Sequence, residues 1–593
     1  MRSHTRVFAF ALAVTMLAAV LAVRGHEDDD VQPGPSIVNK NGFEIDERSV
    51  GRILADETLA SGNVILADTL TPVPGLAPAP QILLRGGNTQ VNDGALDNIQ
   101  IFPLFRPFVS FTQSETSLAA RGRNIVATYN TSANQPLVQI SPGVLAFQHR
   151  FLSGFSTSTD GGSTWTSGFF PPVAGSIFTF GDPSIDVDRN GTFYFSGLGA
   201  NAAGAFTIQV NRSDDGGMTW SDAVVVQQDN GGDKEWIAVG KDPSTPSRDN
   251  VYVTWTSFQP TGAQLRFGRS IDGGATWTTK TIFAPAADPV PTHPQNSLQF
   301  SAPYVDQITG RLYVPFVQFS NADTDFIRIL KSDDAGETFS FVNFGVSGTL
   351  LPSLLPFVQS GELIDMGSGG LRLGIHAGPS SVGRFGLRQF QQVSRLVTQP
   401  AFAARDGNLY LAWSNSTSPV FGDPAAKSNI LFIRSNNDGA NWTTPIQVNP
   451  TVVADLHHVL PSLDIDKDSN DVHVAYYTQH GDETVDVDMA NSHDLGQSFP
   501  DDRAVRVTST NFVLPPTVVR LTAAPTPTTN YDRLIVSGYS LGEYLSVKSA
   551  NGGVYVLWGD ARKNVTEPVN ALSPLSGKTH SQQDVMFQKV KAQ

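Results

Sequence analysis

The chain has 593 residues, a formal net charge of −15 and no cysteine. The acidic balance repels phosphate backbones and speaks against a nucleic-acid partner. The lack of thiols excludes disulfide scaffolds, thiolate metal centres and cysteine nucleophiles together. With 40% apolar and 9% aromatic residues there is material for a large core, so global disorder is excluded as well.

At the N-terminus, Arg2 and Arg6 flank the start of an apolar run from Val7 to Val23, a pattern that reads as an export signal over residues 1–25. An uncleaved anchor is the alternative, because the run just reaches the lower length limit for a bilayer span. No later segment has the apolar length to cross a membrane. The expectation is a secreted or periplasmic protein, free of the membrane once the signal is removed, with its oligomeric state open. Residues 26–95 carry the acidic run Glu27-Asp28-Asp29-Asp30 and Pro-rich stretches. They read as a linker or arm, with a strand near Gln81 to Leu84 available to close a ring.

Downstream, one motif recurs. Ser158-Thr-Asp160-Gly-Gly-Ser-Thr164-Trp165 returns around Asp215 and Asp272 with the same plan, and more loosely around Asp334, Asn437 and Asp494, where Phe replaces Trp or Asn replaces Asp. The steps run from 55 to 62 residues, with one of 103. The composition suits a hairpin tip: glycines accept positive φ, the carboxylate can bind backbone N–H groups of its own turn, and the aromatic starts the next strand. This pattern resembles the Asp box, or BNR repeat, of sialidases and other β-propeller proteins. What the resemblance implies is a fold, since the box is a structural staple remote from the catalytic face in sialidases.

A second repeat precedes each box. Short leads such as Ser114-Glu115-Thr116, Gly181-Asp182-Pro183, Lys234-Glu235-Trp236 and Gly542-Glu543-Tyr544 are each followed by a turn and a β-rich run such as Val251-Tyr-Val-Thr-Trp255. Seven leads against six boxes predict an all-β fold: a β-propeller of four-stranded antiparallel blades over residues 96–593, with seven blades and six as the alternative. The long step places an insertion at residues 345–394.

Aligned by eye, the seven leads put Glu115, Asp182, Glu235, Ala302, Gln399, Leu460 and Glu543 at one position. In a propeller that position rings the channel mouth. Four carboxylates there predict either general acid–base chemistry or capture of a cation, with Ca²⁺ as the ion such a ring can recruit; no cofactor is otherwise required and no metal ligand set is nominated. The plain alternative is a set of carboxylates bonded to nearby backbone. His457 and His458 open the sixth lead and are candidates to reach the same mouth. The Asp186-Val-Asp188 and Asp464-Ile-Asp466 segments start like calcium loops, lack the distal Glu, and read better as turns.

Tested residue by residue, the sialidase resemblance implies three arginines on the sialic carboxylate, a Tyr nucleophile assisted by Glu, and an Asp acid/base. Phe105-Arg106-Pro107 partly echoes the family's first arginine motif, Tyr539-Ser540 resembles the nucleophile's context, and Arg562 in Trp558-Gly-Asp-Ala-Arg562 is an available clamp. In Asp233-Lys234-Glu235-Trp236, Gly542-Glu543-Tyr544 and Trp558-Gly559-Asp560-Ala561-Arg562 the chain resembles secreted bacterial sialidase-like propellers. The implied function is a glycoside hydrolase or a non-catalytic binder of extracellular glycan or glycoprotein, with a Ca²⁺-stabilised surface scaffold as a third option. Glu115, Asp182, Glu235, Glu543 and Tyr539 are the catalytic candidates, and Arg106, His457, His458 and Arg562 the substrate-binding ones.

Overall fold

The computed structural model describes residues 37–38, 44–45, 82–83, 87–96, 113–134, 137–141, 144–285, 298–319, 324–345, 353–359, 362–365, 371–374, 399–419, 426–451, 455–480, 484–512, 519–520, 535–537, 542–566, 577 and 579–591. The export signal expected over residues 1–25 lies outside them, as do Arg106 and Tyr539. Among the described residues no helix is long and apolar enough to cross a membrane.

The protein is all-β, built from antiparallel sheets with one 3₁₀ turn at Asp501–Arg503 among the described residues. Seven strands recur as the first member of a unit: β1 (Gln113–Arg121), β2 (Phe178–Val187), β3 (Gly232–Lys241), β4 (Tyr304–Val305), β5 (Ala401–Arg405), β6 (Asp455–Ile465) and β7 (Ser546–Ala550). Each pairs antiparallel with the strand that follows it. That strand pairs with a third. In the first six units a fourth strand follows in sequence.

In the seventh unit the third strand is Thr579–Lys591, and its outer neighbour is Thr89–Gln90 from the N-terminal segment. The strand expected near residues 81–84 therefore does a different job: Ile82–Leu83 runs parallel to Val505–Arg506 on the sixth unit. Within the span expected as an insertion, Leu355–Phe357 pairs with the third strand of the fourth unit. Beyond it, Glu362–Asp365 and Leu371–Gly374 form a separate sheet with Ile37–Val38 and Glu44–Ile45.

First strands touch in sequence order from β1 to β7, and β7 touches β1. The apolar core is divided accordingly, because a strand between two neighbours sends alternate side chains to each. Val251, Val253 and Trp255 pack with Ile208 and Val210 of the second unit, while Tyr252 packs with Leu312 and Val314 of the fourth. Comparable clusters join the fourth unit to the fifth, the fifth to the sixth and the sixth to the seventh. Leu118, Ile125 and Tyr129 meet Tyr555, Leu557 and Phe587 between the first and last units.

The six repeated turns share one hydrogen-bond plan. In the first, Asp160 Oδ1 accepts Ser158 Oγ at 2.8 Å and Thr164 N at 2.9 Å, Oδ2 accepts Thr164 Oγ1 at 2.7 Å, and Ser158 Oγ accepts Gly162 N at 2.9 Å. The Ser Oγ to Gly N bond recurs at residues 217, 274, 336, 439 and 496. Bonds from Thr276 hold the Asp272 carboxyl down at about 2. The second glycine also seats each turn on the preceding unit: a Cβ on Gly162 would meet the Phe587 ring at 2.7 Å. Trp165 lies edge-on to that same ring, 5.0 Å between centroids.

Candidate functional site

The turn serines fix the register of the first strands. Ser158, Ser213, Ser270, Ser332, Ser435 and Ser492 pair with Ile125, Phe193, Val251, Leu312, Leu409 and Val472 on the second strands. Those residues pair in turn with Ala120, Val187, Val239, Val305, Ala404 and Ile465 on the first strands. Val554 with Ser549 is the seventh such pair. Counting back from them, one position is shared by Glu115, Asp182, Lys234, Phe300, Gln399, Leu460 and Tyr544. Glu235 lies one residue past it, Ala302 two past it and Glu543 one before.

The shared position has a backbone signature. Ladder register shifts at Ser114/Ser117, Gly181/Ser184, Asp233/Trp236 and Val459/Ser462 mark a bulge in each of those strands. At the bulge Glu115, Asp182, Lys234, Phe300 and Leu460 take φ of 50, 55, 51, 61 and 53°. Left-handed backbone at non-glycine residues costs on the order of 1–3 kcal/mol each and persists only when the surroundings impose it. Here it turns the side chains of neighbouring strands toward one another.

Lys234 is the focus, and sequence reasoning passed over it. Its Nζ lies 3.0 Å from Glu115 Oε1, 3.7 Å from Asp182 Oδ1, and in direct contact with Glu543 Oε2. Asn130 donates Nδ2 to Glu115 Oε2 at 3.0 Å and accepts Asp182 N at 2.9 Å, joining the first and second units. Asp182 Oδ2 accepts Lys234 N at 3.3 Å, joining the second to the third. The Tyr544 ring lies 5.6 Å under the ammonium, and its hydroxyl donates to Pro183 O at 3.0 Å. Glu115, Asp182 and Glu543 are at most 1% exposed and Lys234 5%.

Burial governs the electrostatics. It pushes the Glu115 carboxyl up to about 8, with Asp182 and Glu543 adding to the rise against the pull of Lys234. Burial also pushes Asp182 up to about 7, opposed by Lys234 and reinforced by Asp233. The carboxylates in return keep Lys234 well above its ordinary value although burial alone would lower it. At neutral pH the cluster therefore holds one ammonium against carboxyl groups that are partly protonated. Glu235 stands apart: its oxygens are buried without a hydrogen-bond partner, and burial raises it well above the carboxylate range.

The remaining candidates do not join this cluster. His457 Nδ1 is 3.3 Å from Ser428 Oγ, and His458 Nδ1 is 3.1 Å from Thr478 Oγ1, with its ring edge-on to Tyr476. Both are buried within the fifth and sixth units. Arg562 is spent on Asp560 Oδ2 at 2.6 Å, Asn88 Oδ1 at 2.8 Å and Ser509 Oγ at 2.9 Å, where it ties the N-terminal segment down.

Below the cluster the first strands enclose an axial cavity of about 380 Å³, lined by residues of all seven. Side chains bridge strands that share no ladder there: Ser117 Oγ accepts Ile185 N at 3.2 Å, Ser184 Oγ accepts Ile237 N at 3.1 Å, and Ser462 Oγ accepts Val547 N at 3.0 Å.

No family model and no curated protein matches the chain. Solved structures similar to it include a Dyadobacter fermentans protein of unknown function (13% identity, 69% of this chain and 95% of that one, TM-score 0.36). A Hadza microbial sialidase is 14% identical over 75% of each chain, TM-score 0.35. A Trypanosoma rangeli sialidase is 10% identical, covering 81% of this chain and 73% of that one, TM-score 0.36. Likeness at this level leaves function to be argued from the site.

Proposed function

We propose that the seven units are blades of a closed β-propeller exported from the cytoplasm, and that it recognises extracellular glycan without cleaving it. The closed circuit of first strands and the six turns of Asp-box design support the architecture. Full burial of Glu115, Asp182 and Glu543 around Lys234 carries the non-catalytic reading: hydrolysis needs a carboxyl proton within hydrogen-bond reach of a glycosidic oxygen, and here the carboxyl groups face an ammonium and one another. They act as a clasp between blades. The same ammonium fills the point at which a ring of carboxylates would hold Ca²⁺, so the proposal takes no metal there; among the described residues no group of three His, Asp or Glu side chains suits one.

Hydrolysis is the second reading, favoured by one feature: burial lifts the Glu115 carboxyl to about 8 and the Asp182 carboxyl to about 7, which keeps a proton available for general-acid work. A panel of polysaccharides and sialylated glycoproteins separates the two. Retention on the immobilised glycans with no released reducing sugar or sialic acid is the expected result. Release that disappears in Glu115→Gln and Asp182→Asn would overturn the proposal in favour of the hydrolase, and neither retention nor release would overturn both.

A further inference from the structure

Four residues past the bulge, on the same face of the first strands, the shared position is held by Ala119, Asp186, Ala238, Tyr304, Ala403, Asp464 and Lys548. Asp186, Tyr304, Asp464 and Lys548 line the axial cavity together with Trp236 and Tyr544. The two rings meet edge to face, 4.8 Å between centroids. The carboxylates are fixed by backbone: Asp186 Oδ2 accepts Val239 N at 2.8 Å and Asp464 Oδ2 accepts Ser549 N at 2.7 Å. Lys548 Nζ forms no ion pair within 4.0 Å among the described residues, although Asp186 and Asp464 hold it above its ordinary value against burial. A charged donor, a hydroxyl and two carboxylates held as acceptors thus share one ring around an open volume.

We infer that this cavity binds a neutral, hydroxyl-rich molecule of mono- or disaccharide size, one unit of the glycan recognised under the proposal above, on which this inference rests. Carboxylates held as acceptors and a donor-only ammonium around one cavity call for a ligand that both gives and takes hydrogen bonds, which hydroxyl groups do. The volume falls in the range of small-molecule sites, and the aromatic pair offers an apolar face for ring C–H groups. Two carboxylates against one ammonium disfavour an anionic sugar.

Saturation-transfer NMR on the whole chain tests this with maltose, N-acetylglucosamine, N-acetylneuraminic acid and ethanolamine as probes. Saturation of the two neutral sugars is expected, with affinity falling about tenfold or more in Lys548→Met and also falling in Tyr304→Phe, which removes a single oxygen and keeps the fold testable. Binding of ethanolamine or N-acetylneuraminic acid alone would overturn the assignment. So would neutral-sugar binding unchanged in both variants. Retention on polysaccharide that survives both substitutions would leave the glycan-recognition proposal standing and remove only this site; loss of all retention in the unaltered chain would remove the proposal itself.

Discussion

Replacing Lys234 with Met removes the one ammonium shared by three buried carboxyl groups, and its cost is expected to grow with pH. Holding a carboxyl neutral costs about 1.4 kcal/mol for every pH unit above its unfolded value, which for Glu115 is 4.5. With the cation gone, an additional carboxyl must stay protonated to remain buried. That amounts to under about 1 kcal/mol at pH 5 and about 5 kcal/mol at pH 8, in line with the roughly 3–5 kcal/mol lost when one member of a buried ion pair is deleted. For a folded body of roughly 500 residues the unfolding entropy is about 1 kcal/mol per kelvin. The melting temperature of Lys234→Met should then fall by about 1 °C at pH 5 and about 5 °C at pH 8. Scanning calorimetry of both proteins at the two pH values reads this directly. An equal fall at both, or a larger one at pH 5, would refute the picture of an ammonium neutralising buried carboxylates.

The unaltered protein carries the same signature. Glu115 and Asp182 titrate higher when folded than unfolded, so the folded state binds extra protons and stability is lost as pH rises from about 4 to about 8; Glu115→Gln should flatten that slope in urea titrations. Gly161 and Gly162 both have positive φ, of 80 and 92°, yet a Cβ on Gly161 meets nothing within 4 Å while one on Gly162 strikes Phe587. Gly162→Ala should therefore cost about 1–3 kcal/mol more than Gly161→Ala, and Phe587→Leu should shrink the difference in a double-mutant cycle. Asn92 donates to Asp584 Oδ1 and accepts Val585 N, both at 2.8 Å. Asn92→Ala should lose about 2–4 kcal/mol and speed hydrogen exchange at Val585, and unchanged exchange would show that the N-terminal segment is not clasped.

The repeats made the strand-rich fold legible, because Ser, Asp, Gly and aromatic residues sit at fixed offsets wherever a turn of one hydrogen-bond plan is needed. The site was legible only in outline. Glu115, Asp182 and Glu543 do converge, but Glu235, Ala302 and Glu543 lie one past, two past and one before the shared position, an offset that residue type does not mark and that only the ladder register reveals. Lys234 stood in plain view between Asp233 and Glu235, where a lone cation among acids on an otherwise apolar strand was a usable signal. The lower ring of Asp186, Tyr304, Asp464 and Lys548 had none, since those residues read as turn chemistry or ordinary strand until the register is known. Of two short N-terminal strands, Ile82–Leu83 pairs with the sixth unit and Thr89–Gln90 with the seventh, and nothing in their composition tells the two apart.

The pairing of Thr89 and Gln90 with Phe587 and Met586 brings together segments far apart in the sequence. Contacts of such separation form late. Until residue 587 has emerged, the early segment has nothing to pair with and the first and sixth units each present an uncovered flank. The seventh unit packs on both flanks, so the first and sixth units are shielded from water by one and the same strand pairing.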